Sequence, residues 1–196
     1  NNNPFLFPDD IENIIELPDL QTLHFKIEIP SYGKKQIESV DRFITKILQG
    51  SSNLKKLHLH SPEGNEKTPS TRKYLEYLPA GLEILTLSDM IISKEELLTI
   101  KKRCPNLKAI ELIFTTMDLP DLDDSNVMME SVEHLIISEN MEIANINEES
   151  QPLSSFIPYF PNLKSLSFVN LNINDYLYAW GKTTCNISTL HLCDVA

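Results

Sequence analysis

One spacing constrains this chain more than any other: apolar residues at the first, fourth and sixth positions of a six-residue frame. It occurs at Leu20/Leu23/Phe25, Leu54/Leu57/Leu59, Leu82/Leu85/Leu87, Leu107/Ile110/Leu112, Val132/Leu135/Ile137, Leu163/Leu166/Phe168 and Ile187/Leu190/Leu192. Successive first positions are 34, 28, 25, 25, 31 and 24 residues apart. Self-similarity at such periods marks a chain built from stacked units, because one unit cannot bury its apolar side alone and needs its neighbours to do so.

The frame L-x-x-L-x-L is the strand signature of a leucine-rich repeat. The expected fold class is α/β: a leucine-rich-repeat solenoid with a curved parallel sheet of about seven strands, and helices and irregular loops on the convex side. Strands are expected at 22–26, 55–60, 84–88, 109–113, 134–138, 165–169 and 188–193. The clearest helix runs from Gln36 to Leu48, with Ile37, Val40, Ile44, Ile47 and Leu48 on one stripe, and Gly50 as its stop. Ser70 opens a shorter helix bearing Tyr74, Leu75 and Leu78. Ser93-Lys94-Glu95-Glu96 reads as a capping box ahead of Leu97, Leu98 and Ile100, in a helix ended by Pro105. Asn174 is expected to cap a last helix, Asp175 to Trp180. Residues 115–131 and 139–152 read mostly as loop. The whole of 1–196 is read as a single repeat domain, with 1–19 a cap or preceding repeat. A start on Asn1 without Met suggests an excised piece. With no capping helix after the seventh strand, the C-terminal edge is expected to continue in the parent protein or to be covered by a partner.

Composition narrows function. A formal net charge of −11 and a pI near 4.9 repel phosphate backbones, so nucleic acid is a disfavoured partner. The apolar runs are too short to span a bilayer, and no membrane role is expected. Cys104, Cys185 and Cys193 form no paired framework, and no Cys/His cluster has metal-ligand spacing. Reduced thiols in an intracellular compartment, cytoplasm or nucleus, follow, with Cys104 a buried apolar residue. The sequon Asn186-Ile187-Ser188 runs into a buried strand and is read as chance. No nucleophile, base or phosphate-loop arrangement appears, so the chain is expected not to be an enzyme and to need no cofactor or metal.

Three strand openings carry further detail: Leu17-Pro18-Asp19-Leu20, Cys104-Pro105-Asn106-Leu107-Lys108 and Phe160-Pro161-Asn162-Leu163-Lys164. The C-P-N-L-K form, with uneven repeat lengths and helical connectors, resembles the leucine-rich repeats of F-box proteins. That resemblance covers residues 17–196 and implies the substrate-binding domain of a cullin-based ubiquitin ligase receptor, with an adaptor held through an F-box that these residues do not contain. The alternative is a repeat scaffold or regulatory subunit of another intracellular assembly. The chain departs from the commonest repeat in one column. The asparagine expected three residues past the last core position occurs at Asn140 alone, with Glu28, Pro62, Met90, Thr115, Leu171 and Val195 elsewhere.

Side chains alternate along a strand, so the residues between core positions face outward. All five histidines fall there. The candidate partner-binding residues are His24, Lys26, Lys56, His58, His60, Glu111, His134 and His191. His24 and His58 belong to adjacent strands, roughly 5 Å apart. No carboxylate sits at matching positions in those two strands, which argues against a metal and leaves two readings: a protein-binding surface of amphipathic rings, or the solvated polar residues that an open face carries in any case. An acidic or phosphorylated segment is expected to dock at His24, Lys26, Lys56, His58 and His60, beside loop 61–69. Asp89, Asp118 and the acidic stretches at 121–124 and 139–149 are expected to line an opposite, acidic rim.

Overall fold

The computed structural model describes residues 16–26, 34–60, 72–113, 116–118, 127–138, 157–170 and 187–193. In chain order these form β1 (Thr22–Lys26), α1 (Lys34–Gly50), β2 (Lys56–His60), α2 (Arg72–Leu75), β3 (Ile84–Ser88), β4 (Ile91–Ser93), α3 (Lys94–Arg103), β5 (Ala109–Ile113), β6 (Thr116–Asp118), β7 (His134–Ser138), β8 (Ser165–Val169) and β9 (Thr189–Cys193). The fold is α/β. Seven strands form one parallel sheet in the order β1-β2-β3-β5-β7-β8-β9, and β4 pairs with β6 in a second sheet.

Each unit begins with a turn that the sequence dictates. The amide of Leu107 donates to the carbonyl of Cys104, and the same three-residue closure recurs at Leu20, Leu54, Leu82, Val132 and Leu163. Pro105 and Pro161 occupy the second turn position, where a fixed φ suits the bend. The next contacts are between units. The carbonyl of the residue just before a strand accepts two amides from the following unit. Lys55 takes Glu83 and Ile84, Glu83 takes Lys108 and Ala109, and the pattern continues from Gln21 to Lys164 at 2.8 to 3.1 Å. This junction sets the register in which Leu23, Leu57, Leu85, Ile110, Leu135, Leu166 and Leu190 stand side by side.

From Leu54 to Phe168, the residues of the six-residue frame are almost all inaccessible and share one core with Ile44 and Leu48 of α1, Tyr74 and Leu75 of α2, and Leu97 and Ile100 of α3. Each such side chain contributes about 1.5–3 kcal/mol through burial. In α3 the capping box is formed on both sides: Ser93 accepts from the Glu96 amide, and Glu96 accepts from the Ser93 amide at 2.7 Å. Leu98 is only partly buried.

Several expectations change. α1 ends at Gly50 as expected, and the Gly50 carbonyl receives the Leu17 amide, but the helix begins at Lys34, ahead of Gln36. The second helix is a single turn. Within 115–131, Thr116–Asp118 is a strand, because Ile91–Ser93, at the start of the β3–β5 connection, offers it a parallel partner. Met90, in the column where the common repeat has asparagine, is buried in the core, so packing replaces a hydrogen-bond ladder there. At the C-terminal edge the frame is intact but not buried: Leu190 is 44% exposed and Leu192 49%. Residues 1–15 of the expected cap or preceding repeat, the expected helix at 175–180, the Ser70 cap, loop 61–69, Asn140 and the acidic stretches at 121–124 and 139–149 lie outside the described residues. No described helix is long and apolar enough to cross a membrane.

Candidate partner-binding face

The registers lay out the open face of the large sheet as three rows. The first is Thr22, Lys56, Ile84, Ala109, His134, Ser165 and Thr189. The second is His24, His58, Thr86, Glu111, Ile136, Ser167 and His191. The third is Lys26, His60, Ser88, Ile113, Ser138, Val169 and Cys193. In a chain with 28 acidic residues, these rows hold one carboxylate, Glu111.

Five of the eight sequence candidates come together on β1 and β2: His24, Lys26, Lys56, His58 and His60. The His24 and His58 rings stand edge to face, with centroids 5.5 Å apart. Glu111 lies two strands from His58. His134 lies three strands away, roughly 14 Å, and His191 lies on the edge strand β9. These last two share the face but not the cluster.

Polar contacts bind the cluster to the middle of the sheet. His58 Nε2 and Ser88 Oγ share a hydrogen bond of 2.7 Å. Thr86 Oγ1 donates to Glu111 at 2.7 Å. Both hydroxyl residues are buried although they point to the open side, because these small side chains on β3 sit between larger ones, Thr86 between His58 and Glu111 and Ser88 between His60 and Ile113. Partial burial holds the His58 imidazole below its usual pKa, and the neighbouring His24 and His60 add to the effect while Glu111 opposes it.

Asp89 is not on an opposite rim. Its carboxylate lies 3.0 Å from His60 Nδ1. Asp89 has φ 54°, a left-handed conformation that Asp and Asn tolerate better than other side chains, and its amide donates to the Ile113 carbonyl. Asn170, one residue past β8, repeats this with φ 57° and the Cys193 carbonyl. The local backbone therefore turns the Asp89 carboxylate back toward His60. Among the described residues no group of three or more His, Cys, Asp or Glu is placed to hold a metal ion.

Sequence reasoning missed three features. One is the hydroxyl pair Thr86 and Ser88. Another is an apolar stretch, Ile113, Ile136 and Val169, on the same open face. Their strand parity is readable, but outward apolar residues carry no signal until strand order is known. The third lies along the starts of the strands, where Lys55, Glu83, Lys108, Glu133 and Lys164 alternate in sign. Lys55 reaches Glu83 at 3.0 Å, Lys108 reaches Glu83 at 3.4 Å and Lys164 reaches Glu133 at 2.6 Å. Hydrogen bonds from these lysines hold Glu83 and Glu133 below the ordinary carboxylate pKa.

Protein-family models include none that matches this chain, and no curated protein matches it.

Proposed function

We propose that this chain is a leucine-rich-repeat solenoid that binds a protein partner on the open face of its large sheet. We further propose that it is the substrate-binding repeat domain of an F-box-type ubiquitin ligase receptor, acting inside the cell. The observation that carries the first reading is the composition of that face. An acidic chain keeps all but one carboxylate off three continuous rows of residues and places its five histidines there. Solvation alone favours acidic or basic residues equally at such positions, whereas a face reserved for a partner carries the complement of that partner's surface.

The ligase role draws on the C-P-N-L-K resemblance. A second reading, a repeat scaffold without a ligase role, draws support from what an asparagine at this turn position does. Asn162 Nδ2 donates to the Glu130 carbonyl and, in a turn that lacks the proline, Asn53 Nδ2 donates to the Pro18 carbonyl, both at 2.8 Å, each tying a turn to that of the preceding unit. The motif thus has a structural reason to exist in any stacked repeat of this type. The test is affinity purification of the intact protein from its own cells. Co-purification of a cullin and its adaptor, with partners that accumulate when the proteasome is inhibited, is the expected result. A stable partner without cullin or adaptor would replace the ligase role with the scaffold. Partners indifferent to Lys56→Glu and Ile136→Glu would remove the open face as the docking surface.

A further inference from the structure

The open face is chemically divided along the order of its strands. On β1 and β2 it carries Lys26, Lys56 and the three histidines His24, His58 and His60. On β5 to β8 its outward residues are Ala109, Glu111, Ile113, His134, Ile136 and Val169, with the small hydroxyl residues Ser138, Ser165 and Ser167 between them. Lys26 and Lys56 are exposed, and Ile113, Ile136 and Val169 are half-buried. Between the two regions stand Thr86 and Ser88, sunk below their neighbours, and then Glu111. Charge complementarity therefore changes sign across a short distance. A carboxylate is attracted over β1 and β2, repelled over Glu111, and replaced by apolar contact beyond it.

We propose that this face binds an acidic segment of a protein partner lying across the strands, its carboxylates against Lys26, Lys56 and His24 and its apolar side chains on Ile113, Ile136 and Val169. The inference rests on the reading of the open face as the docking surface, and adds which chemistry it selects and in what order. From β2 to β7 is three strand spacings, roughly 14 Å. An extended segment covers that in about four or five residues. The selected sequence thus has an acidic cluster, a gap of about that length, and then two or more apolar residues. Glu111 tolerates a neutral or basic residue in the gap and disfavours an acidic one. Asp89, held against His60, weakens attraction at the third row and biases the acidic group toward Lys56 and His24.

Panning a displayed library of random peptides on the intact protein tests this directly, with Lys56→Glu and Ile136→Glu as separate variants and circular dichroism to verify that each stays folded. Both residues lie on the solvent side of their strands, so folding should survive. The expected result is enrichment of net-negative peptides with an apolar group on one side of the acidic cluster. Binding of those peptides should fall about tenfold or more on Lys56→Glu, fall also on Ile136→Glu, and weaken with added salt. Neutral or basic peptides that lose binding on Ile136→Glu would overturn the acidic selection while leaving the face as a docking surface. Peptides unaffected by both variants, or no enrichment at all, would overturn this inference and the docking reading together.

Discussion

The same six-residue frame has opposite fates at the centre and at the C-terminal edge of the sheet. On β5, Leu112 is 1% exposed, while on β9 the register equivalent Leu192 is 49% exposed. The residues, their spacing and the side of the strand are the same. What differs is the flanking strands: β5 has β3 and β7 on its two sides, whereas among the described residues β9 pairs with β8 alone. The frame decides which way a side chain points, and the stack decides whether it is buried. In a quasi-one-dimensional assembly, stability resides in the interfaces between units as much as in the units themselves.

The largest contrast to measure is chemical. Cys104 precedes the central strand β5, is buried, and has a thiol pushed up to about 12 by that burial; Cys193 ends β9 and is exposed. Thiol labelling of Cys193 should proceed at the rate of an accessible cysteine. Labelling of Cys104 should wait for unfolding, slower by roughly 10³-fold or more, as read by mass mapping of the labelled peptides. Comparable rates would mean the central units open locally.

Truncation gives the same contrast in stability. Leu112→Ala should cost about 2–5 kcal/mol, and Leu192→Ala under about 1 kcal/mol, in denaturant titrations of the two variants. Equal losses would mean that Leu192 is covered in solution by something beyond its own strand partners.

A smaller effect probes the helical side. Tyr74 donates its hydroxyl to buried Asp41, which Lys73 also reaches at 3.2 Å, so α1 and α2 are joined through one carboxylate. Burial and the Asp41 carboxylate raise the Tyr74 pKa far above its usual value, so the phenol remains a donor. Tyr74→Phe leaves that carboxylate one partner short and should cost about 1–3 kcal/mol. A near-zero change in unfolding midpoint would show that water replaces the hydroxyl.

The smallest expected effect is the pH response of the N-terminal cluster. His58 has a folded pKa below its ordinary value of about 6.5. As pH falls through about 6.5 the unfolded chain takes up this proton first, so stability drops there, and the loss is complete once the folded ring is also charged. His58→Gln should flatten this part of the stability profile. Partial solvent exposure keeps the effect modest. A profile identical to that of the unmodified chain would assign the acid loss elsewhere.

Much of this architecture was legible in the residues. The strand positions followed from the frame, because a period of two with a fixed turn before it admits one alignment. The α3 start followed from Ser93 and Glu96, whose capping is local. Of the face, the parity of His24, His58 and Lys56 was readable for the same reason. Their grouping with Lys26 and His60 was readable too, because consecutive repeats put β1 beside β2. The burial of Thr86 and Ser88 beside them was not, since it depends on how the side chains of three strands pack.

By itself, then, the sequence determined everything that acts within a few residues: the turns, the strands, the helix cap and the side to which each strand residue points. Tertiary structure alone decided the rest. It turned Asp89 toward His60, paired Ile91–Ser93 with Thr116–Asp118, aligned Lys55, Glu83, Lys108 and Glu133 into alternating charge, and left Leu190 and Leu192 exposed. Each of these joins positions about 25 residues apart or turns on which described strands flank a side chain. Such relations exist only once the units are stacked, because repeat lengths vary and no local rule carries a contact from one unit to the next.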